Sequence, residues 1–240
     1  MGKNIHATAR LGPSKGDAAS TTFAFPNISH KEYLDRRIVL EDQIIVIDDF
    51  LSAEECKRFV KFIDELPLEL TPSKKKGEAE RLNYRFSVTS LSFAQELHGL
   101  LLPHLPSFPR PLPLRRRNRE DDNSQPRLPH SCNSNIRMYK YTPSQHFGPH
   151  YDDSVKEAST GAKSEWTLLV YLTGAQDGVE GGETMFYKDE KGQRRETIAV
   201  PLTRGTALLH RHGNECLLHE GSLVREGTKY ILRSDLMFMD

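Results

Sequence analysis

The sequence predicts a mainly β fold with flanking helices, an α+β arrangement whose strands gather in the C-terminal half. Two observations predict it. From Asn135 onward, short β-branched and aromatic runs are punctuated by Gly, Pro, Asn and Asp, with no helix-period segment between them. Before that point lie two segments of helical periodicity, each opened by a capping-box pattern.

The elements follow in order. Residues 1–30 lack the apolar stretch of a secretory signal and are rich in small residues, and residues 1–40 are expected to form a disordered leader. Order is expected from Ile44-Ile-Val-Ile47, a β-branched run that reads as a buried strand. Ser52-Ala-Glu-Glu55 then matches a capping box, and Cys56, Phe59, Val60 and Ile63 form one apolar helix face ending before Pro67. Lys74-Lys75-Lys76 reads as a solvated loop. Asn83-Tyr-Arg-Phe-Ser87 places Arg85 in a half-apolar segment, as a surface ion-pair partner or a substrate contact. A second capping box, Ser92-Phe-Ala-Gln95, opens a helix through Leu97, Leu100 and Leu101.

Residues 103–130 hold seven of the fourteen prolines, together with Arg115-Arg116-Arg117 and Glu120-Asp121-Asp122. Proline removes backbone donors and the charges resist burial, so an exposed insertion is expected there. Residues 41–240 otherwise read as one domain. Its strand candidates are Arg137–Tyr141, Trp166–Leu172, Glu183–Tyr187, Thr206–His210 and Lys229–Arg233. Many short strands without intervening helices point to a sandwich or barrel. Trp166 reads as core by its strand position.

Composition narrows the function. Lys+Arg and Asp+Glu are both 33, so no global field draws in nucleic acid or an anionic membrane. No window approaches the ~20 apolar residues of a membrane helix. Cys56, Cys132 and Cys216 are widely spaced, which argues against a disulfide scaffold and suits the cytoplasm or nucleus, with an organellar leader left open.

The chemistry sits around His150-Tyr-Asp152. On an extended backbone the imidazole and the carboxylate share a face, and one distant histidine would complete a 2-His-1-carboxylate metal set. Alone the pattern is weak, because His30-Lys-Glu32 matches it in the leader. Candidates for the third ligand are His219, 67 positions after Asp152, and His210 and His212, which alternate like strand residues. His146 reads as a loop or supporting histidine.

His150-x-Asp152, Gly181-Gly-Glu-Thr184, Gly205-Thr-Ala-Leu-Leu209, Leu218-His-Glu-Gly221 and Gly227-Thr-Lys229 occur together and in order. The set resembles the prolyl 4-hydroxylase-type branch of the iron(II)/2-oxoglutarate-dependent dioxygenases, well over 135–238 and weakly over 44–102. The resemblance implies a double-stranded β-helix core of the jelly-roll or cupin kind. It implies Fe(II), 2-oxoglutarate and O2 as reactants, ascorbate as a reductant, and release of succinate and CO2 with hydroxylation of an unactivated C–H bond. Carried over by residue, His150, Asp152 and His219 would hold the metal. Lys229 would pair with the far carboxylate of 2-oxoglutarate, Tyr141 would hydrogen-bond it, and Thr167 matches a neighbouring hydroxyl. Arg233, on the same strand face as Lys229, competes with it for the anchor or pairs with Asp235.

The substrate implied is a prolyl or other peptidyl side chain, or a small molecule. Two rival readings share the fold. An oxidative nucleic-acid demethylase would be expected to carry an arginine pair on the last strand, where this chain has Lys229 and Arg233. A catalytically silent binding protein would lack a ligand, yet all three ligand types are present.

Overall fold

The computed structural model describes residues 24–73, 77–108, 127–158, 160–188 and 196–239. Strand β1 (Arg36–Leu40) turns back onto β2 (Ile44–Ile47), followed by helix α1 (Ala53–Asp64). Short strands β3 (Glu69–Leu70) and β4 (Arg81–Leu82) precede β5 (Tyr84–Thr89) and helix α2 (Leu91–Leu101). The C-terminal half contributes β6 (Ser131–Cys132), β7 (Asn135–Tyr141), β8 (His146–His150), β9 (Lys163–Tyr171), β10 (Glu180–Gly181) and β11 (Thr184–Lys188). It continues through β12 (Glu196–Val200), β13 (Ala207–Arg211), β14 (Leu218–Gly221), β15 (Val224–Glu226) and β16 (Lys229–Phe238).

Two antiparallel sheets carry the fold. The larger runs β1-β2-β13-β9-β16-β7-β5-β3, with β6 beside β16, and the smaller runs β12-β11-β14-β8-β4. The period of two along each strand turns alternate residues to opposite faces, and the central strands are covered on both. Ile45, Ile47, Leu168, Val170 and Leu232 face the helices, where they pack with Phe59 and Ile63 of α1 and Leu97 of α2. Their neighbours Ile44, Val46, Leu169, Tyr171 and Ile231 face the smaller sheet and pack with Phe186, Val200 and Val224. All ten residues of β16 are buried. The expected jelly-roll core with outer helices is the fold observed.

The first helix starts where its capping box predicts. The Ser52 hydroxyl accepts from the Glu55 amide, and the Glu55 carboxylate accepts from the Ser52 amide at 2.7 Å. That carboxylate also receives the Ser29 amide at 2.6 Å and the Lys31 ammonium at 3.0 Å. Burial alone would raise its pKa, but these donors outweigh burial and hold it down at about 2. The second helix starts earlier than its capping box suggested. Ser90, not Ser92, is the extended N-cap, and its hydroxyl accepts from the Phe93 amide.

Two sequence boundaries need correction. The expected leader reaches too far, because Phe25 stacks on Phe93 at 4.0 Å, Ile28 and Leu34 are buried, and Arg36–Leu40 is a paired strand. Isolated apolar residues without periodicity gave no signal of this. Residues 1–23 lie outside the described residues, as do Lys74–Lys76 and 109–126 of the expected insertion. The flanks of that insertion are structural. Phe108 is buried edge-on against Trp166 and Phe238, and its amide donates to the Arg127 carbonyl. Arg127 grips the Glu165 carboxylate through both guanidinium nitrogens, at 2.9 and 2.8 Å. Phe108→Ala is therefore expected to cost about 3–5 kcal/mol, the range for a truncated core aromatic. A denaturant midpoint shift below about 1 kcal/mol would return this segment to the surface.

Candidate active site

β8 and β14 lie side by side in the smaller sheet, with His150 directly opposite His219. Beyond β8 the chain stays extended enough to turn Tyr151 outward, 60% exposed, and Asp152 inward, 8% exposed. The predicted alternation of the His-Tyr-Asp segment holds. One ligand atom from each of His150, Asp152 and His219 lies within 4.8 Å of the others. His150 Nε2 is 3.6 Å from Asp152 Oδ1, and His219 Nε2 is 3.8 Å from Oδ2.

The imidazoles are oriented from behind. His150 Nδ1 meets the Gly148 carbonyl at 3.0 Å, and His219 Nδ1 meets the Leu217 carbonyl at 2.9 Å. A carbonyl only accepts, so both Nδ1 atoms carry the proton and both Nε2 lone pairs face the carboxylate. Burial pushes His150 down to about 4 and lowers His219 as well, so both are neutral at pH 7. For Asp152, burial acts to raise the pKa, but the Arg233 charge beside it prevails and holds the carboxyl well below its usual range. Two neutral imidazole donors and one carboxylate form a set that fits a divalent iron ion.

Asp152 is held by three donor contacts. Arg233 Nη2 lies 2.9 Å from Oδ2, Arg233 Nη1 donates to Oδ1 at 3.3 Å, and the Thr167 hydroxyl donates to Oδ2 at 2.9 Å. Thr167 also meets His212 Nδ1 at 2.9 Å, and His212 Nε2 meets the Ser164 hydroxyl at 2.9 Å. These contacts bear on two expectations. Thr167 supports the metal-facing carboxylate and is absent from the cavity lining. Arg233 lines the cavity and is engaged chiefly with Asp152, while the expected pairing with Asp235 is present at 3.5 Å, Asp235 being held also by Arg137 and Asn133. Of the competing histidines, His212 is consumed in this network, and His146 stands 3.9 Å from Glu80, away from Asp152. His210 is buried beside the triad, its Nε2 3.8 Å from Asp152 Oδ2.

Deeper in the cavity, β16 places Lys229 opposite Tyr141 of β7. The Lys229 ammonium is 2% exposed, donates to the Gly182 carbonyl at 2.6 Å and sits 5.2 Å from the Tyr141 ring centre. Burial lowers its pKa to about 8. The Gly-Gly-Glu-Thr segment makes this slot. Gly182 has φ +73°, and a Cβ there would lie 3.1 Å from Lys229 Cδ. Thr184 lines the same cavity and bonds the Tyr171 hydroxyl at 2.6 Å. Sequence reasoning missed Tyr171 and Thr184 as cavity-building groups.

In front of the triad a cleft of about 750 Å³ opens to His150 and Asp152, bordered by Arg81 and Arg85. Arg85 thus lies where a substrate contact would lie. Arg81, unremarked in the sequence, stacks its guanidinium 4.5 Å from the ring centres of both Tyr139 and Phe147.

The jelly-roll core thus brings two histidines and one carboxylate together in a cavity that also holds a buried cation. Residues 136–234 match the family described as the 2OG-Fe(II) oxygenase superfamily. Among curated proteins the chain is similar to prolyl 4-hydroxylase 1 of Arabidopsis thaliana, 29% identical over 177 residues. That alignment covers 70% of this chain and 56% of the relative, so the chain spans little more than half of that protein's length. Solved structures share the fold. The collagen prolyl hydroxylase of Paramecium Bursaria Chlorella virus-1 is 20% identical with a TM-score of 0.52, covering 82% of this chain and 97% of that one. A Trichoplax adhaerens prolyl hydroxylase, solved with a hypoxia inducible factor peptide fragment, is 12% identical with a TM-score of 0.54, covering 82% and 84%.

Proposed function

We propose that the chain is an iron(II)- and 2-oxoglutarate-dependent dioxygenase that hydroxylates an unactivated C–H bond, with release of succinate and CO2. The observation that carries this is the triad, two imidazole lone pairs and one ionised carboxylate turned toward one point. Iron(II) would be held by His150, Asp152 and His219, and when bound it supplies oxygen activation coupled to oxidative decarboxylation of the keto acid. The remaining work belongs to the chain. Lys229 neutralises the far carboxylate of 2-oxoglutarate at the cavity floor, where an unpaired anion would be very costly to bury. Burial pushes the Tyr141 hydroxyl up to about 12, so it stays protonated and available as a donor to that carboxylate. Arg233 and Thr167 keep Asp152 ionised and fixed, and ascorbate serves as an external reductant.

The substrate enters through the cleft bordered by Arg81 and Arg85, and a prolyl or other peptidyl side chain suits its open form. Among the described residues no helix is long and apolar enough to cross a membrane. The free thiols of Cys56, Cys132 and Cys216 suit a reducing compartment such as the cytoplasm or nucleus.

An anaerobic titration of the metal-free protein with iron(II) and then 2-oxoglutarate tests the reading. A visible charge-transfer band should saturate at one keto acid per iron, and admitting oxygen should produce succinate. Absence of both would sink the assignment. A peptide and metabolite screen read by succinate release then identifies the substrate.

A further inference from the structure

A second group of metal-ligating side chains shares His219 with the triad. The His219 Nε2 faces Asp152, whereas its Nδ1 lies 3.8 Å from the Cys216 sulfur. His210, Cys216 and His219 each bring a ligand atom within 4.8 Å of the others. Cys216 is half-buried at the end of the turn Gly213–Glu215. His210 is 1% exposed, its ring centre is 4.5 Å from that of His219, and its buried Nε2, 3.8 Å from Asp152 Oδ2, has no hydrogen-bond partner among the described residues. A buried ring nitrogen left unpaired in this way is costly, and a bound ion would satisfy it.

We propose that His210, Cys216 and His219 form a second, thiolate-containing site for zinc(II), and that zinc there competes with iron(II) for His219. One sulfur and two imidazole donors with a fourth position open suit zinc, while the carboxylate-containing triad suits iron. Binding exchanges the Cys216 S–H bond for an S–Zn bond and releases one proton to solvent. Exclusion follows from the imidazole itself. Neutral histidine has one lone pair, so His219 serves one metal at a time whichever nitrogen zinc takes. If zinc takes Nδ1, the ring proton moves to Nε2 and points at Asp152, which removes a donor from the iron set. Two of the three zinc ligands, His210 and Cys216, play no part in the proposed iron chemistry, so the two ideas fail separately.

The test uses the metal-free full chain and the rate at which a thiol reagent modifies Cys216. Cys56 and Cys132 are buried, so the fast-reacting thiol of the native protein is Cys216. One equivalent of zinc(II) should slow that reaction by about tenfold or more, and cadmium(II) should give a thiolate-to-metal ultraviolet band. Both effects should vanish in His210→Gln and persist in His150→Gln, which disables only the triad. Zinc should also need about tenfold higher concentration to displace iron(II) from Cys216→Ser than from the unmodified chain. His210→Phe, placed beside Phe186, provides a second variant if His210→Gln does not fold by circular dichroism. Protection that survives loss of His210, or disappears with His150→Gln, would put zinc on the triad and overturn the proposal. So would equal zinc displacement of iron in Cys216→Ser and the parent.

Discussion

Replacing Asp152 with alanine should abolish iron retention and, separately, destabilise the metal-free protein by about 3 kcal/mol. The carboxylate is the single anion among the three proposed ligands, so its loss removes both a donor and the negative charge that balances the metal. The stability cost has a different origin. Arg233 is buried, and its pKa is raised because, against the effect of burial, Asp152 and then Asp235 favour its charge. Removing the nearer partner leaves the guanidinium with Asp235 at 3.5 Å. That residual partner places the loss at the lower end of the range for a broken buried pair, which runs to about 5 kcal/mol. His150→Ala and His219→Ala should also end 2-oxoglutarate turnover while destabilising the apo protein less, because no buried cation is stranded. Iron stoichiometry and urea midpoints of the three apo variants would check this. Equal destabilisation in all three would mean the Arg233–Asp152 contact contributes little.

Lys229→Ala should raise the apparent constant for 2-oxoglutarate by one to three orders of magnitude, since losing a buried charge partner costs roughly 2–5 kcal/mol. Iron binding should be nearly unchanged, because Lys229 contacts none of the three proposed ligands. The wild type adds a pH signature. Lys229 has its pKa lowered to about 8 in the free protein, and pairing with a carboxylate raises it again. Only the charged form pairs, so affinity should be flat below pH 8 and fall by up to about tenfold per pH unit above it, with a proton taken up on binding. Calorimetry in buffers of different ionisation enthalpy measures that proton. Arg233→Ala should do the reverse of Lys229→Ala, weakening iron by about 10–100-fold, the usual cost of losing a group that orients a ligand, while moving the keto-acid constant much less. If keto-acid affinity collapses only in Arg233→Ala, the anchor lies four residues further along β16.

The strand periodicity explains why the sequence left those two cations in competition. Residues 229, 231 and 233 share a face, which alternation reveals, but a strand advances ~3.3 Å per residue. Lys229 and Arg233 are therefore about 13 Å apart along β16, and both line the cavity, the second paired with Asp152. Face is legible in a sequence, whereas depth in a cavity depends on which strand lies opposite. The same limit applies to Thr167, whose type and face were readable while its partner, Asp152, was not. Strand β2 announced itself as an unbroken apolar run, β9 was legible over Trp166–Tyr171, and β16 was read only as far as Arg233, before Ser234 and Asp235. Strand β8 gave no such signal, because Gly148 and Pro149 give it the composition of a turn. β1 was hidden because four of its five residues are exposed. His150, Asp152 and His219 were legible together because local alternation places the first two and the surrounding motifs single out the third.

The position of β16 bears on how the protein folds. It follows every other described strand in the chain, yet it lies in the interior of the larger sheet, paired on one side with β9 and on the other with β7. The larger sheet cannot close until that strand arrives, and its paired residues on β9 and β7 stand 60 to 96 residues earlier. Pairings of such sequence separation carry a large loop-closure cost and are slow to form. Lys229 and Arg233 arrive on the same strand. Until then Asp152 lacks its Arg233 partner and the cavity lacks its Lys229 wall, so the proposed site for metal and keto acid is completed by the same strand that completes the sheet.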